Sequence, residues 1–145
     1  MERPGEAIER LHAVRRLLQQ CNAAACARHG LSQTEAAVLL YLYNNPGRDS
    51  ASDIVAYRNL PKANVSKAVD ALTRRGLLSR ETDGADRRRT HLRLTRTSQQ
   101  ALPALIAAQE RFFSLLFAGF TDEERAMYAA MNARIAENAK RKFQE

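Results

Sequence analysis

Residues 61–95 read PKANVSKAVDALTRRGLLSRETDGADRRRTHLRLT. Pro61 suits a first helical turn, because its φ is already helical and its missing amide would find no partner there. A helix over about 61 to 75 follows, with Val65, Ala68, Val69 and Leu72 clustered on one face of the helical wheel. Ala63, Ser66, Lys67, Asp70 and Arg74 take the opposite face, and Gly76 stands where a left-handed residue closes a helix. Beyond it lie two short segments, Leu77 to Thr82 and Arg89 to Leu94. The second sets Thr90, Leu92 and Leu94 against Arg89, His91 and Arg93, the period of two of a strand. Asp83-Gly84 between them is a hairpin cue, so a polar-faced helix followed by a β-hairpin is expected.

Upstream, Ser50 followed by Asp53 marks a helix start, with Ile54 and Val55 as its apolar pair, and Arg58-Asn59-Leu60-Pro61 breaks it. Two helices joined by about four residues and closed by glycine form a helix-turn-helix, and a hairpin directly after one is a wing. Further back, Leu11, Val14, Leu18, Cys21 and Ala25 recur at spacings of 3, 4, 3 and 4, predicting a helix over about 6 to 29 with a narrow apolar seam. Gly30 stops it, and Ser32-Gln33-Thr34-Glu35 has the form of a capping box. The helix it opens carries Ala36 to Leu42, apolar almost all round and therefore buried, until Asn44-Asn45-Pro46-Gly47 ends it.

Downstream, Thr95 or Thr97 can cap a helix over about 97 to 118, with Leu102, Leu105, Gln109, Phe112 and Leu116 along one line. Pro103 falls inside it and predicts an irregular junction. After Gly119, Thr121-Asp122-Glu123-Glu124 is a further capping box, opening a last helix through Met127, Met131 and Ile135 to basic Lys140, Arg141 and Lys142. The expected fold is mostly α with a small β-hairpin wing: a winged helix-turn-helix over 31–96, with helical dimerisation parts at 6–29 and 97–145, in a single domain over 1–145. A dimer would bury the apolar seams of the N- and C-terminal helices, which are too exposed for a lone small bundle.

The chain has 145 residues, 45% hydrophobic and 27% charged, enough apolar content for a core and too much for global disorder. Its longest apolar run, Ala36 to Tyr43, is far short of the roughly 20 residues that span a bilayer. The N-terminal residues lack the apolar stretch of a secretory signal, and two cysteines make no disulfide framework, so a cytoplasmic location and no membrane association are expected. The net charge is +7, and its placement is uneven. Residues 48–96 hold twelve basic side chains against six acidic, so six of the seven excess charges lie in the helix-turn-helix and wing. A local excess of that kind suits neutralisation of phosphates.

At Asn64-Val65-Ser66-Lys67-Ala68-Val69-Asp70-Ala71-Leu72 and Arg75-Gly76-Leu77-Leu78, the sequence resembles the recognition helix and exit of the MarR family of bacterial winged helix-turn-helix regulators. The wing, Asp86-Arg87-Arg88 through Leu92-Arg93-Leu94-Thr95, fits that family's D-x-R-x-x-x-L-x-L-T spacing at every fixed position. It departs from many members at Gly84-Ala85, where they place a basic tip residue. The resemblance implies a homodimeric transcription factor, usually a repressor, that binds a pseudo-palindromic operator in double-stranded DNA and answers to a small aromatic or lipophilic effector or to an oxidant. It also implies a fixing role for Asp86 and Arg88, the aspartate pairing with an arginine.

The residues themselves point to the same surface. Only a helix N-terminus and its outward face reach base edges in a major groove about 12 Å wide. Lys62, Asn64, Ser66 and Lys67 are therefore the expected readers, with Arg74 and, less directly, Ser32, Arg48 and Arg75 at phosphates. Asp70 is expected to hold Lys67 or Arg74 through helical pairing. In the wing, Arg87 is expected at the tip, beside Arg88, and Arg89 at the phosphate edge. His12, Arg16, Tyr41, Tyr43 and Phe112 are the expected lining of an effector pocket, each equally suited to plain core. Cys21 and Cys26 lie about 140° apart on their helix and cannot bridge within it; they are buried small residues or, alternatively, an oxidant-sensing thiol in a redox regulator of the same fold. A winged-helix module for protein contact without an operator is a further alternative, disfavoured by the basic character of the outward face. No nucleophile elbow, phosphate-binding loop, dinucleotide fingerprint or metal-ligand spacing occurs, so neither catalysis, nor a cofactor, nor a metal is expected. No aromatic platform for stacking RNA bases is apparent.

Overall fold

The computed structural model describes residues 3–141, which form two compact units divided between Phe112 and Phe113. Lys142 and the residues after it lie outside the described chain. The first unit runs α1 (Pro4–His29), α2 (Gln33–Asn44), α3 (Ala51–Arg58), α4 (Lys62–Arg74), β1 (Leu78–Thr82), β2 (Thr90–Leu94), a 3-10 turn (Thr97–Gln100) and most of α5 (Leu102–Leu116). The second contains the end of α5 and α6 (Asp122–Arg141). The expected fold class, mostly helical with a two-stranded antiparallel wing, is the one observed.

Helix α2 is the axis of the first unit. Its seven residues Ala36 to Leu42 are all buried, and α1, α4 and β2 pack around it. The Ser32 hydroxyl accepts the Glu35 amide at 3.0 Å while the Glu35 carboxylate accepts the Ser32 amide at 3.0 Å. Those two bonds satisfy donors that the first helical turn leaves orphaned. Ser50 and Asp53 repeat the device at the start of α3, each bond 3.1 Å long. Gly30 and Gly76 both sit in left-handed conformation, at φ +61° and +73°, ending α1 and α4 where a Cβ would be strained. The turn between α3 and α4 passes through Asn59 at φ +49°, a conformation asparagine tolerates better than most residues. On α4, Val65, Ala68, Val69 and Leu72 are buried as the wheel requires, and they join the cluster that includes Leu39, Ile54 and Leu105.

The region after the wing differs from the expected single helix over 97–118. Thr95 caps only the 3-10 turn, its hydroxyl 3.3 Å from the Ser98 amide while donating to the Gly76 carbonyl at 2.6 Å. The α-helix proper begins at Leu102, which puts Pro103 in a first turn, where its missing amide costs nothing. The hairpin also differs in its turn. Its strands pair Leu78 with Leu94 through Thr82 with Thr90, leaving the loop 83–89 rather than a tight Gly84-Ala85 reversal. Gly84 does not adopt positive φ, so the Asp-Gly pair is no two-residue hairpin turn here.

The expected seam of α1 divides in two. Ala25 is buried, Leu18 and Cys21 are half-buried, and Leu11 and Val14 are exposed together with Ile8. In the second unit, the Phe117 ring packs edge-on against Phe120 at 5.6 Å and Tyr128 at 5.3 Å, with the Arg125 guanidinium 5.1 Å from its centroid. Thr121 and Glu124 form the expected capping box on α6. That helix leaves Met127, Met131 and Ile135 exposed.

Leu72 has no exposed surface, whereas Lys67 one turn earlier is exposed. Leu72→Ala is expected to lower stability by about 2–5 kcal/mol, and Lys67→Ala to stay within about 0.5 kcal/mol of the parent. Denaturant melts of the two variants check the assignment of faces; equal losses would contradict it.

Candidate nucleic-acid interface

The outward face of α4 presents Lys62, Asn64, Ser66, Lys67 and Arg74, all exposed. Their backbone is held from behind by the buried stripe of the same helix, so the face is rigid while its side chains remain in water. Among the described residues, none of Lys62, Lys67 and Arg74 enters an ion pair. Asp70 does, but with Arg80 of β1 rather than with Lys67 or Arg74 as helical spacing predicts. The β1 strand runs close enough to α4 for a partner across the sheet to win over one four residues along the helix.

The wing is shaped by carboxylates acting on backbone amides. Asp83 Oδ1 accepts the Ala85 amide at 2.8 Å and the Asp86 amide at 3.1 Å. Asp86 through Arg89 then form a β-turn closed by Arg89 N–H to the Asp86 carbonyl at 3.1 Å. The Asp86 carboxylate accepts the Arg88 amide at 3.0 Å, the two-residue reach that makes aspartate a preferred first residue of such turns. Asp86 thus fixes the wing through the Arg88 main chain, not by pairing with an arginine side chain as the resemblance implied. Arg87 and Arg88 occupy the two central turn positions and are exposed. Arg89 does not stand free at a phosphate edge: its guanidinium lies 3.3 Å from Asp53 at the start of α3. Burial raises the Asp53 pKa, but the Ser50 hydroxyl and amide, with Arg89 and Arg48, outweigh it and hold the carboxyl below its ordinary value. A polar cleft of about 620 Å³ lies between the wing and α3 and α4, lined by Ser52, Asp53, Ser66, Asp70, Arg80 and Arg88 among others.

Two further assignments change. Arg75, expected at a phosphate, donates to the carbonyls of His29 at 2.7 Å and Gly30 at 2.8 Å, and so caps the C-terminus of α1. Ser32, another expected phosphate contact, spends its hydroxyl in the α2 capping box. Arg48 is exposed.

A second set of residues at the wing base was not singled out from sequence. Asp49, just before α3, is 5% exposed. Its carbonyl accepts the Leu92 amide at 2.8 Å, and one carboxylate oxygen accepts Arg93 Nη1 at 2.8 Å. The other lies 2.6 Å from His91 Nδ1, while His91 Nε2 lies 2.7 Å from Asp83. Arg93 Nε in turn donates to Glu81 at 3.1 Å. The hydrogen bonds to Asp49 and Asp83 hold the His91 pKa above its ordinary 6.5. Bonding to His91, with the Ala85 and Asp86 amides, holds Asp83 down at about 2. The two carboxylates address opposite ring nitrogens, an arrangement for charged hydrogen bonds and not for ligating one ion. The period-two pattern, with His91 and Arg93 on one face of β2, was the available signal.

The expected effector residues differ in exposure. His12, Arg16 and Tyr43 are exposed, whereas Tyr41 and Phe112 are buried, with Tyr41 edge-on to Tyr57 at 5.3 Å. A cleft of about 380 Å³ is lined instead by Arg15, Leu18, Asn22, Arg58 and Pro61 among others. Cys26 is buried, its thiol 3.9 Å from the Ser32 carbonyl, and Cys21 is half-buried. Burial and then the nearby Glu35 carboxylate push the Cys26 thiol up, opposite to the stabilised thiolate that oxidant sensing needs. Among the described residues, no helix is long and apolar enough to cross a membrane and no cluster of three or more His, Cys, Asp or Glu could hold a metal ion.

A model of the MarR family matches residues 29–89, the segment from the end of α1 to the wing turn. Two curated relatives from Bacillus subtilis (strain 168) are similar to this chain. The uncharacterised HTH-type transcriptional regulator YkoM is 31% identical over 97 residues, covering 67% of this chain and 62% of the relative. The HTH-type transcriptional repressor YetL is 26% identical over 106 residues, covering 72% and 64%. The chain spans a little under two thirds of the length of these relatives. Among solved structures, MarR superposes with a TM-score of 0.68 at 27% identity, covering 96% of this chain and 99% of that one. Bordetella bronchiseptica BpsR, whose DNA binding is regulated by 6-hydroxynicotinic acid, superposes with a TM-score of 0.71 at 23% identity over 93% and 94% of the two chains.

The two cysteines differ enough to be told apart. In the folded protein Cys21 is expected to react with a thiol reagent at neutral pH well before Cys26, which labels fully only on unfolding. Peptide mapping after timed alkylation measures both rates, and equal rates would contradict the burial of Cys26.

Proposed function

Because the chain belongs to the MarR family of transcriptional regulators, we propose that it binds a pseudo-palindromic operator as a homodimer and represses transcription until a small aromatic or lipophilic effector releases it. The observation that carries this reading is the pairing of a basic helix face with an exposed Arg87-Arg88 turn, neither spent on ion pairs among the described residues. In this reading Lys62, Asn64, Ser66 and Lys67 read base edges in the major groove, lysine suiting guanine acceptors and asparagine suiting adenine. Arg87 and Arg88 approach the minor groove, where a narrow A-tract concentrates negative potential. Arg74 contacts phosphate, and Arg89 sets the wing through Asp53.

The dimerising parts are α1 with the helices of 97–145, and the DNA-binding part is 31–96. Supporting the first assignment are two exposed apolar stripes, Ile8, Leu11 and Val14 on α1 and Met127, Met131 and Ile135 on α6. Exposed apolar rows of that size on a water-soluble regulator call for a covering partner. Repression is supported by the activity in the name of YetL, and an aromatic effector by the response of BpsR to 6-hydroxynicotinic acid. The redox alternative finds no support at Cys26, whose thiol is buried and raised.

Selection of bound fragments from random or genomic DNA tests the proposal. It is expected to enrich a symmetric site with half-sites about one helical turn, 10–10.5 bp, apart; no enrichment over input would overturn operator binding. On the selected site, Lys67→Ala is expected to cost about 1–3 kcal/mol of discrimination at one base position. Arg87→Ala is expected instead to weaken all sequences alike and to flatten the salt dependence by about one unit. Titrations of operator variants at several salt concentrations separate the two effects.

A further inference from the structure

We propose that His91 is a positioning residue of the wing: as an imidazolium it joins Asp49 of the helix-turn-helix frame to Asp83 of the wing, and its deprotonation loosens the turn that carries Arg87 and Arg88. The DNA consequence rests on the operator-binding reading above; the positioning role itself does not.

The geometry sets the charge state. Both ring nitrogens lie within 2.7 Å of a carboxylate oxygen, Nδ1 of Asp49 and Nε2 of Asp83. A neutral imidazole has one N–H and one lone pair, so only the doubly protonated ring donates at both ends. Loss of either proton sets a nitrogen lone pair against a carboxylate oxygen, and one of the two contacts must open. The carboxylates are unequally anchored. Asp49 is buried, tied through its carbonyl to Leu92 and through its second oxygen to Arg93. Asp83 has its other oxygen committed to the Ala85 and Asp86 amides, which give the turn its shape but do not fasten it to the frame. The weaker side is therefore Asp83, and opening there loosens the Asp83 end of the loop 83–89, leaving Arg89 on Asp53 and the Asp83 amide on the Arg89 carbonyl as its remaining ties.

The charged groups around the ring come from every neighbouring segment. Asp49 precedes α3, Glu81 faces His91 across the β-ladder, Asp83 follows β1, and Arg93 lies two residues along β2. Arg93 is shared between Asp49 and Glu81, and Arg89 is engaged with Asp53. Their net effect favours the imidazolium, and the raised His91 pKa agrees. The direction of the pH effect follows. His91 titrates higher folded than unfolded, so its contribution is complete below the ordinary 6.5 and disappears as pH rises through the raised value. Asp83 titrates lower folded, so its contribution is complete above the ordinary 3.8 and disappears as pH falls towards about 2. Between about 3.8 and 6.5 the His91 tie is at full strength, and it loosens on the alkaline side.

The test uses the full chain. Histidine ring resonances and the amide protection factors of the loop 83–89 are followed by NMR from about pH 6 to about pH 9. In parallel, the affinity for a labelled mixed-sequence DNA duplex is measured at constant ionic strength. Wild type is expected to lose wing protection in step with the His91 titration and to lose at least about fivefold in DNA affinity, the lower end of ordinary coupling between two sites. His91→Gln, neutral at every pH, is expected to show the loose wing and the weak affinity throughout, with no pH step. His91→Arg keeps the charge and is expected to remove the step while retaining the low-pH affinity. Circular dichroism establishes that both variants are folded, and the wild-type titration stands without them.

Wing protection that does not change across the His91 titration overturns the proposal, as does a wild-type pH profile in folded His91→Gln, which would assign the step to His12 or His29. A wing that loosens in the free protein while DNA affinity stays flat, or while no duplex binds at all, supports the positioning role and counts against the DNA reading of the wing.

Discussion

Helix α2 carries apolar side chains on every side, and a helix of that kind has to be surrounded. One flank is taken by the last turns of α1, another by the buried stripe of α4, and a third by β2. The outward direction of Lys62, Asn64, Ser66 and Lys67 is thus a by-product of where Val65, Ala68, Val69 and Leu72 are obliged to go. The surface is set from within, by the area of α2 that water must not touch.

The wing obeys a different constraint, because a two-stranded ribbon is marginal by itself. Only its base, Leu78 and Leu92, is deeply buried. Beyond that it is fastened by charge: Arg80 to Asp70 of α4, Arg89 to Asp53 of α3, and His91 and Arg93 to Asp49. All six acidic residues of the basic segment are used in this way, on guanidinium or imidazole groups or on the backbone of the turn itself. Among the described residues, the cations left without an ion pair include Lys62, Lys67 and Arg74 on α4 and Arg87 and Arg88 at the centre of the turn, with Arg48, Arg58 and Arg96 outside both. The neutralised pairs thus sit at the wing's attachments, while Arg87 and Arg88 are left at the centre of its turn.

Features with a fixed sequence spacing were legible in advance. Three capping boxes, at Ser32, Ser50 and Thr121, depend on residues three apart, and the faces of α2 and α4 depend on helical period alone. Contacts set by the lie of the hairpin were not. Helical spacing pairs Asp70 with Lys67 or Arg74, but it bonds Arg80, which strand β1 carries alongside α4. Asp49 and His91 are 42 residues apart and meet only once Leu92 has paired with the Asp49 carbonyl. The helix expected over 97–118 ran together two pieces, since the apolar line through Leu102 and Leu105 does not reveal that Thr95 and Ser98 close a 3-10 turn first. The expected effector residues share a plausible chemistry but not one environment, three being exposed and two buried, and no local pattern fixes that.

Arg75 follows immediately after α4 and holds the final carbonyls of α1 at His29 and Gly30. The exit of the helix facing outward is thereby tied to the far end of the helix that bares Ile8, Leu11 and Val14. A Cβ at Gly30 would stand 3.8 Å from that guanidinium, an ordinary contact, so it is the left-handed backbone at φ +61° that calls for glycine there. Mechanically this is a tie rod running across the chain's own grain. The two hydrogen bonds fasten the end of α1 to the root of α4 directly, alongside the packing of Ala25 and Cys26 in the core that the two helices share.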